Sequence, residues 1–341
     1  MCDLLLAPPL AAQKNAGKSA RAPVLELAGG RRLEFVRVIS VEQAQPRRSL
    51  LSRVVDWIAG PAPQQPMVRP YGVALDSRGR VLVTDPGASC VHVFDFEQQK
   101  YGRLLPGKDR AWQSPLAIAL DRADNIYVSD SQQGVVVVLS PQGKFQRLIG
   151  TPGAASLFLR PTGVAIDQQA NLLYVVDTLR HRVNVLDLQG RLLRSFGQRG
   201  LRPGEFNFPT EVAVRGEEVM VVDALNFRVQ TFTRQGQFVR SFGEPGERPG
   251  RLFRPKGLAL DSAGNLYLAD GLMEVVQVFS PAGRLLYSFG RSGTGPGEFQ
   301  LPAGLFVDPR NRVYVADSLN RRVQVFQFRG PASIEPAGGQ P

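Results

Sequence analysis

Short apolar runs alternate with polar positions along most of this chain, and the runs come in sets. From Pro302 the sequence PAGLFVDPRNRVYVADSLNRRVQVF opens with Pro-x-Gly and a strand that ends at Asp308. A turn carrying Asn311 follows, and a second strand closes on Asp317. The polar corner Ser318-Leu319-Asn320-Arg321 then leads into a third strand that sets Val323, Val325 and Phe326 against polar residues. The same unit recurs. Its opening prolines, Pro70, Pro115, Pro161, Pro209, Pro255 and Pro302, stand 45, 46, 48, 46 and 47 residues apart, and such a fixed period marks stacked supersecondary units. The Asp that closes the second strand keeps the same step at Asp85, Asp130, Asp177, Asp223, Asp270 and Asp317. Period-2 pairs such as Val81/Val83, Ile126/Val128 and Leu266/Leu268 flank turns bearing Gly79, Asn125 and Gly264-Asn265, which is the pattern of hairpins.

A fourth run closes each unit, as KFQRLIG from Lys144, RLLRSFG from Arg191, QFVRSFG from Gln237, RLLYSFG from Arg284 and a degenerate YGRLLPG from Tyr101. Four strands per period of this length predict propeller blades, six of them over residues 66–329, in an all-β fold. The last unit stops after its third strand. RRLEFVRVIS, residues 31–40, sets Leu33, Phe35, Val36 and Val38 against charge and precedes the first unit. It is therefore predicted to supply the missing outer strand, closing the ring and covering an edge that would otherwise invite aggregation.

One helix is predicted before blade one, over 49–59, where Leu50, Leu51, Val54, Val55 and Ile58 share a face between Ser49 and Gly60. It is expected to lie as a lid across the channel face. Residues 1–30 and 330–341 carry no strand pattern and are expected to be disordered, or in the first case to be an anchor or signal remnant. The links into later blades, GQRGLRPGEFNFP from Gly197, GEPGERPGRLFRP from Gly243 and GRSGTGPGEFQLP from Gly290, read as tight loops, with Phe158, Phe206, Phe253 and Phe299 as plugs between blades. No helix pattern follows the glycines of GRSGTGPG, so a phosphate-cradling loop is not supported there.

These units resemble the NHL repeat, roughly Pro-x-Gly with an apolar strand to Asp, then Tyr-Val-x-Asp, Asn-x-Arg-Val-Gln-Val-Phe and a strand ending Phe-Gly. Blades three, four and six fit most closely through Asp177 with Arg182-Val183, Asp223 with Asn226 and Arg228-Val229, and Asp317 with Asn320 and Arg322-Val323. The Arg position holds Cys90, Val135 and Val275 in the others. The resemblance covers residues 30–329 and implies the six-bladed propeller. The strand at 31–40, the Trp57-containing segment and the entry Val68-Arg69-Pro70-Tyr71-Gly72 are further similar to bacterial NHL lipoproteins. That likeness implies a cell-envelope or periplasmic location, with Cys2 as a lipid anchor, against a plain cytoplasmic alternative.

Composition narrows function. The chain has 341 residues and a net charge of +11, which favours anionic partners or simply decorates a solvated surface. Two cysteines, Cys2 and Cys90, make no disulfide framework, and Cys90 is expected to be a half-buried structural thiol. There are two histidines, His92 and His181, both near third strands.

Channel chemistry should come from the residues after each opening Pro, namely Tyr71, Leu116, Thr162, Thr210, Lys256 and Ala303, together with Glu211, which replaces the glycine of blade four. They form no carboxylate cluster. The innermost strands VAL, AIAL, VAI, VAV, LAL and LFV are apolar, so neither a metal nor another cofactor is expected. The Asp ladder is read as structural, each carboxylate accepting backbone N–H groups of the following turn, with an Arg five positions on in blades three, four and six. There is no Gly-x-Ser-x-Gly elbow. A monomeric, non-catalytic scaffold is the resulting expectation, with an acidic protein met by a basic loop face of Arg160, Arg199, Arg202, Arg248, Arg251, Arg254 and Arg291. A calcium-dependent propeller hydrolase or lyase is the alternative. Nucleic-acid binding stands third, because it needs aromatics interleaved with the arginines.

Overall fold

The computed structural model of the chain describes residues 24–27, 31–43, 66–107, 110–153 and 156–329. Six antiparallel sheets make up the fold; in the first five, neighbouring strands are consecutive along the sequence, and the sixth adds strands from the N-terminal region to the last three of the chain. Their innermost strands are Val73–Leu75, Pro115–Leu120, Pro161–Asp167, Pro209–Arg215, Pro255–Leu260 and Pro302–Val307. Valine dominates the second and third strands, as in VVVVL at Val135–Leu139, where β-branched side chains pack well on a pleated surface. From blade two onward the innermost strand opens on a register shift just past its proline, for instance between Pro161 and Val164. A bulge there tolerates a residue that has no N–H to give the ladder.

Each core layer lies between two blades. Ala74, Leu82 and Val91 of blade one meet Ile126, Val128 and Val137 of blade two. Tyr314, Val323 and Val325 of blade six meet Val73, Val83 and Phe94 of blade one, which closes the circle. Across that seam Ser318 Oγ donates to Pro70 O at 2.7 Å and Gly304 N–H to Tyr71 O at 3.0 Å. The same device joins other neighbours: Ser129 Oγ donates to Thr162 O at 2.6 Å, Thr178 Oγ1 to Pro209 O at 2.7 Å, and Thr84 Oγ1 to Leu116 O.

Blade six is a five-stranded sheet. Arg31–Ile39 pairs with Arg322–Arg329, and Leu33 and Ile39 are buried in layers on opposite sides of that blade. Beyond it lies Val24–Leu27, which pairs Val24 with Glu34 and Leu27 with Arg31. This corrects the reading of residues 1–30 as wholly unstructured: four of them extend the sheet, because the outer edge of Arg31–Ile39 offers unpaired backbone groups to a nearby strand. The helix expected over 49–59 and the tail 330–341 lie outside the described residues.

The plugs also need one correction. Phe158, Phe206 and Phe299 are fully buried, but Phe253 is 40% exposed and Leu252 is buried in its stead. Leu252 stands three residues before its proline, as the buried phenylalanines do, whereas Phe253 stands two before and turns outward.

Candidate functional site

All six ladder carboxylates are completely buried. Their main task is to catch the loop that enters the blade, 16 or 17 residues earlier in the chain. Asp85 accepts the N–H groups of Val68 and Arg69 at 2.6 and 2.9 Å, and Asp177 those of Leu159 and Arg160 at 2.9 and 2.9 Å. Asp270 accepts those of Phe253 and Arg254 at 2.7 and 3.0 Å. Asp130 likewise holds Gln113 and Ser114, Asp223 holds Asn207, and Asp317 holds Gln300. The expected bonds to the following turn also form, as from Ala88 to Asp85 at 2.9 Å, but the longer reach is tertiary and had no local signal.

Arg228 and Arg322 pair with Asp223 and Asp317, each at 2.8 Å, and fan out onto loop carbonyls of Leu201, Arg202, Gly295 and Glu298. Blade three departs from the expected pair. Asp177 is approached by Arg180, at 3.5 Å, and Arg182 Nε has no partner. The link from Gly150 to Pro161 is shorter than its later counterparts, and Arg180 on the 3-10 turn Thr178–Arg180 is the residue that reaches its Ser156 and Leu157 carbonyls.

Both histidines serve the same scaffold. His92 stands seven residues after Asp85, where blades four to six have Gln230, Gln277 and Gln324 after their own ladder Asp. Its Nε2 lies 3.2 Å from Asp85 Oδ2, and its Nδ1 lies 2.8 Å from the Tyr101 hydroxyl. Burial alone would raise the Asp85 pKa, but His92 and three backbone N–H groups outweigh it and hold the carboxyl below its ordinary value. His181 Nδ1 accepts Phe208 N–H at 3.2 Å. Cys90 is fully rather than half buried, 3.5 Å from His92 Nε2. Burial and the charge of Asp85 push its thiol up to about 12, so the Cys-His-Asp grouping has no accessible thiolate to use as a nucleophile.

The central channel encloses about 440 Å³ and is lined by all six innermost strands, including Val73, Ile118, Val164, Val212, Leu258 and Leu305. Polar groups stand at its ends. Asp121, Asp124 and Gln168 lie at the turn side, and Glu211 reaches in near the opening prolines. Glu211 faces Gly163 of blade three so closely that a Cβ there would lie 2.6 Å from Glu211 Oε1, which itself accepts Val212 N–H at 3.1 Å. Burial pushes the pKa of this carboxyl up to about 8. Tyr71 is raised by burial first and then by Glu211. Lys256 has its ammonium 6.0 Å from the Tyr71 ring centroid, and burial together with Arg254 and Arg69 brings it down to about 8.

The other expected mouth residues belong to the seams between blades. Thr162 is buried with its hydroxyl 2.8 Å from that of Thr178, Ala303 is fully buried, Leu116 lends its carbonyl to Thr84, and Thr210 has a buried hydroxyl with no partner. Among the described residues, no group of three or more His, Cys, Asp or Glu side chains stands close enough to hold a metal ion.

Of the seven loop arginines, all are exposed. Arg251 pairs with Glu244, and Arg291 with Glu298 at 2.7 Å, so those two are partly neutralised. Arg160 and Arg254 instead stand immediately before their opening prolines, where the ladder holds their backbone. Arg69 occupies the same place in blade one and escaped the sequence reading, although its position before Pro70 is visible there.

Residues 299–326 match the NHL repeat. NHL repeat-containing protein 2 of Bos taurus is 33% identical over 159 residues, which is 38% of this chain and 22% of that protein, so the chain spans about a fifth of this relative's length. Among solved structures, an auxiliary nutrient binding protein from Bacteroides thetaiotaomicron superposes with a TM-score of 0.61 at 13% identity, over 77% of this chain and 69% of that one. Virginiamycin B lyase from Staphylococcus aureus superposes with a TM-score of 0.56 at 13% identity, over 76% and 95%. A His-to-Ala variant of that lyase is catalytically inactive. At these identities the two structures share the fold with this chain and nothing finer.

Proposed function

The chain is a six-bladed propeller built of NHL-type repeats, and from that premise we propose that it works as a non-catalytic docking scaffold for a protein with an acidic surface. The observation that carries this reading is a division of labour. The histidines, Cys90 and the ladder carboxylates are spent inside the blades, with His92, His181, Cys90 and all six Asp side chains buried in structural contacts, while uncompensated arginines stand on the loops. A propeller of this kind presents a rigid face whose position does not change on binding, so little ordering cost opposes association. Basic loop residues would speed encounter with an acidic partner and make it sensitive to salt.

The proposed setting is a bacterial cell envelope, with the protein monomeric and held by its N-terminal region. No helix of the described residues is long and apolar enough to cross a membrane. Cell fractionation followed by detection of acyl-modified Cys2 tests the location and the anchor.

For docking, the full chain is immobilised and exposed to envelope extract, beside a variant carrying Arg199→Ser, Arg202→Ser and Arg248→Ser. Salt-sensitive capture of a partner by the native chain, lost in the variant, supports the proposal. Equal recovery of every partner by both overturns it. The exposed ring of Phe253 between Arg251 and Arg254 supports a second reading, since an aromatic beside arginines is what single-stranded RNA stacks on. Tight RNA binding that falls with Phe253→Ala would favour it over protein docking.

A further inference from the structure

Three guanidinium-bearing residues occupy one structural position in alternate blades. Arg69, Arg160 and Arg254 each stand just before the opening proline of blades one, three and five, where blades two, four and six have Ser114, Phe208 and Leu301. A buried ladder Asp fixes each backbone through its N–H, at 2.9, 2.9 and 3.0 Å. These carboxylates take the main chain and leave the side chains alone: among the described residues, no hydrogen bond or ion pair engages the three guanidiniums. A fourth cation joins them. The Lys256 stem lies so close over Gly271 that a Cβ there would sit 3.1 Å from its Cε, and its ammonium stands over Tyr71 without a carboxylate partner.

The four cations belong to one place. Arg160 and Arg254 act electrostatically on the Tyr71 hydroxyl, and Arg69 and Arg254 on the Lys256 ammonium. The acid near them, Glu211, lies in the bore, where burial favours its neutral form, so it offsets little of this charge. Like charges gathered without a counter-charge are unfavourable to one another, and a bound anion removes that cost while gaining several charge-assisted hydrogen bonds at once. The apolar channel wall beneath the mouth makes the contacts stronger than on an open surface.

We infer that the channel mouth binds one compact multivalent anion, carrying two or more carboxylate or phosphate groups, between Lys256, Tyr71 and the guanidiniums of Arg69, Arg160 and Arg254. This site goes beyond the docking reading, because it centres on the hub residues Tyr71 and Lys256 and shares only Arg160 and Arg254 with the loop face. A multivalent anion fits this arrangement, because the cations come from three separate blades, one, three and five, and two or more charged groups engage them more fully than one.

Isothermal titration calorimetry of the full chain at low salt tests the inference with citrate, pyrophosphate and acetate as probes. The expected result is one site per chain, with citrate or pyrophosphate bound at least about tenfold tighter than acetate, and the better of the two naming the carboxylate or phosphate class. Lys256→Gln and Arg160→Gln should each weaken binding by about tenfold or more. An outer-loop variant, Arg199→Gln with Arg248→Gln, should bind as the native chain does, so failure of the docking proposal and failure of this one are read separately. Thermal unfolding with each anion checks that the variants are folded. Equal affinity for citrate, pyrophosphate and acetate overturns the inference, as does full retention of binding in Lys256→Gln.

Discussion

Replacing Glu211 by Gln isolates the energetic cost of one carboxyl group inside the hub. The folded-state pKa is raised from 4.5 to about 8, so the folded chain holds a proton that the unfolded chain releases over that interval. A raised pKa means that the group's full stability is present below about pH 4.5 and is lost as pH rises toward and through 8. About 3.5 pH units at about 1.4 kcal/mol each set an upper bound of about 5 kcal/mol. Water entering the channel solvates the ionised form in part, and about 2 to 3 kcal/mol is the expected loss. Gln keeps the shape and the acceptor for Val212 N–H but does not titrate. Urea unfolding of the two proteins at intervals from pH 5 to 8 should therefore give nearly equal stabilities at the acid end and a native chain about 2 to 3 kcal/mol weaker than Glu211→Gln near pH 8. Lys256 acts oppositely and in a different window, because its lowered pKa affects stability above about pH 8. If the difference between the proteins is constant across the range, Glu211 ionises freely in the folded state and the closed, apolar hub is wrong.

Four further outcomes follow from packing, pairing and burial. Ile39→Ala in the closing strand, at 1% exposure, should cost about 2 to 5 kcal/mol by urea unfolding, while Val36→Ala, 46% exposed on the same strand, should stay within about 0.5 kcal/mol. Asp317→Ala leaves Arg322, Asn320, Gln324 and the Gln300 N–H without their acceptor and should cost about 3 to 5 kcal/mol. Removing Asp187, whose partner Arg191 is exposed, should leave the denaturation midpoint almost unchanged. Cys90 should resist iodoacetamide at pH 8 in the folded chain and react at the rate of unfolding when denaturant is added, and rapid labelling without denaturant would contradict its burial.

How much of the molecule was legible depends on the distance over which each signal acts. Pro302, Asp308, Asn311 and Asp317 mark strand ends through turn geometry that is local to a few residues, and their recurrence is enough to define blades and count them. The apolar lining is equally local, since strand alternation decides which side chains of Val164 or Leu258 face inward. Blade five shows where a local pattern misleads: Phe253 carries the aromatic signal, yet the offset from Pro255 puts Leu252 into the core. The exchange of Arg182 for Arg180 at Asp177 depends on the length of a loop in space and not on a motif.

A repeating antiparallel fold is written in the local order of residues, because backbone hydrogen bonding and period-2 burial act between residues close along the chain. Which residues meet at the hub depends instead on contacts between blades. Arg69, Arg160 and Arg254 are separated by two whole blades at each step, and nothing in their local sequence says that they surround one opening with Lys256. Closure of the ring brings them together, by holding each innermost strand against its neighbour through the seam contacts of Thr84, Ser129, Thr178 and Ser318.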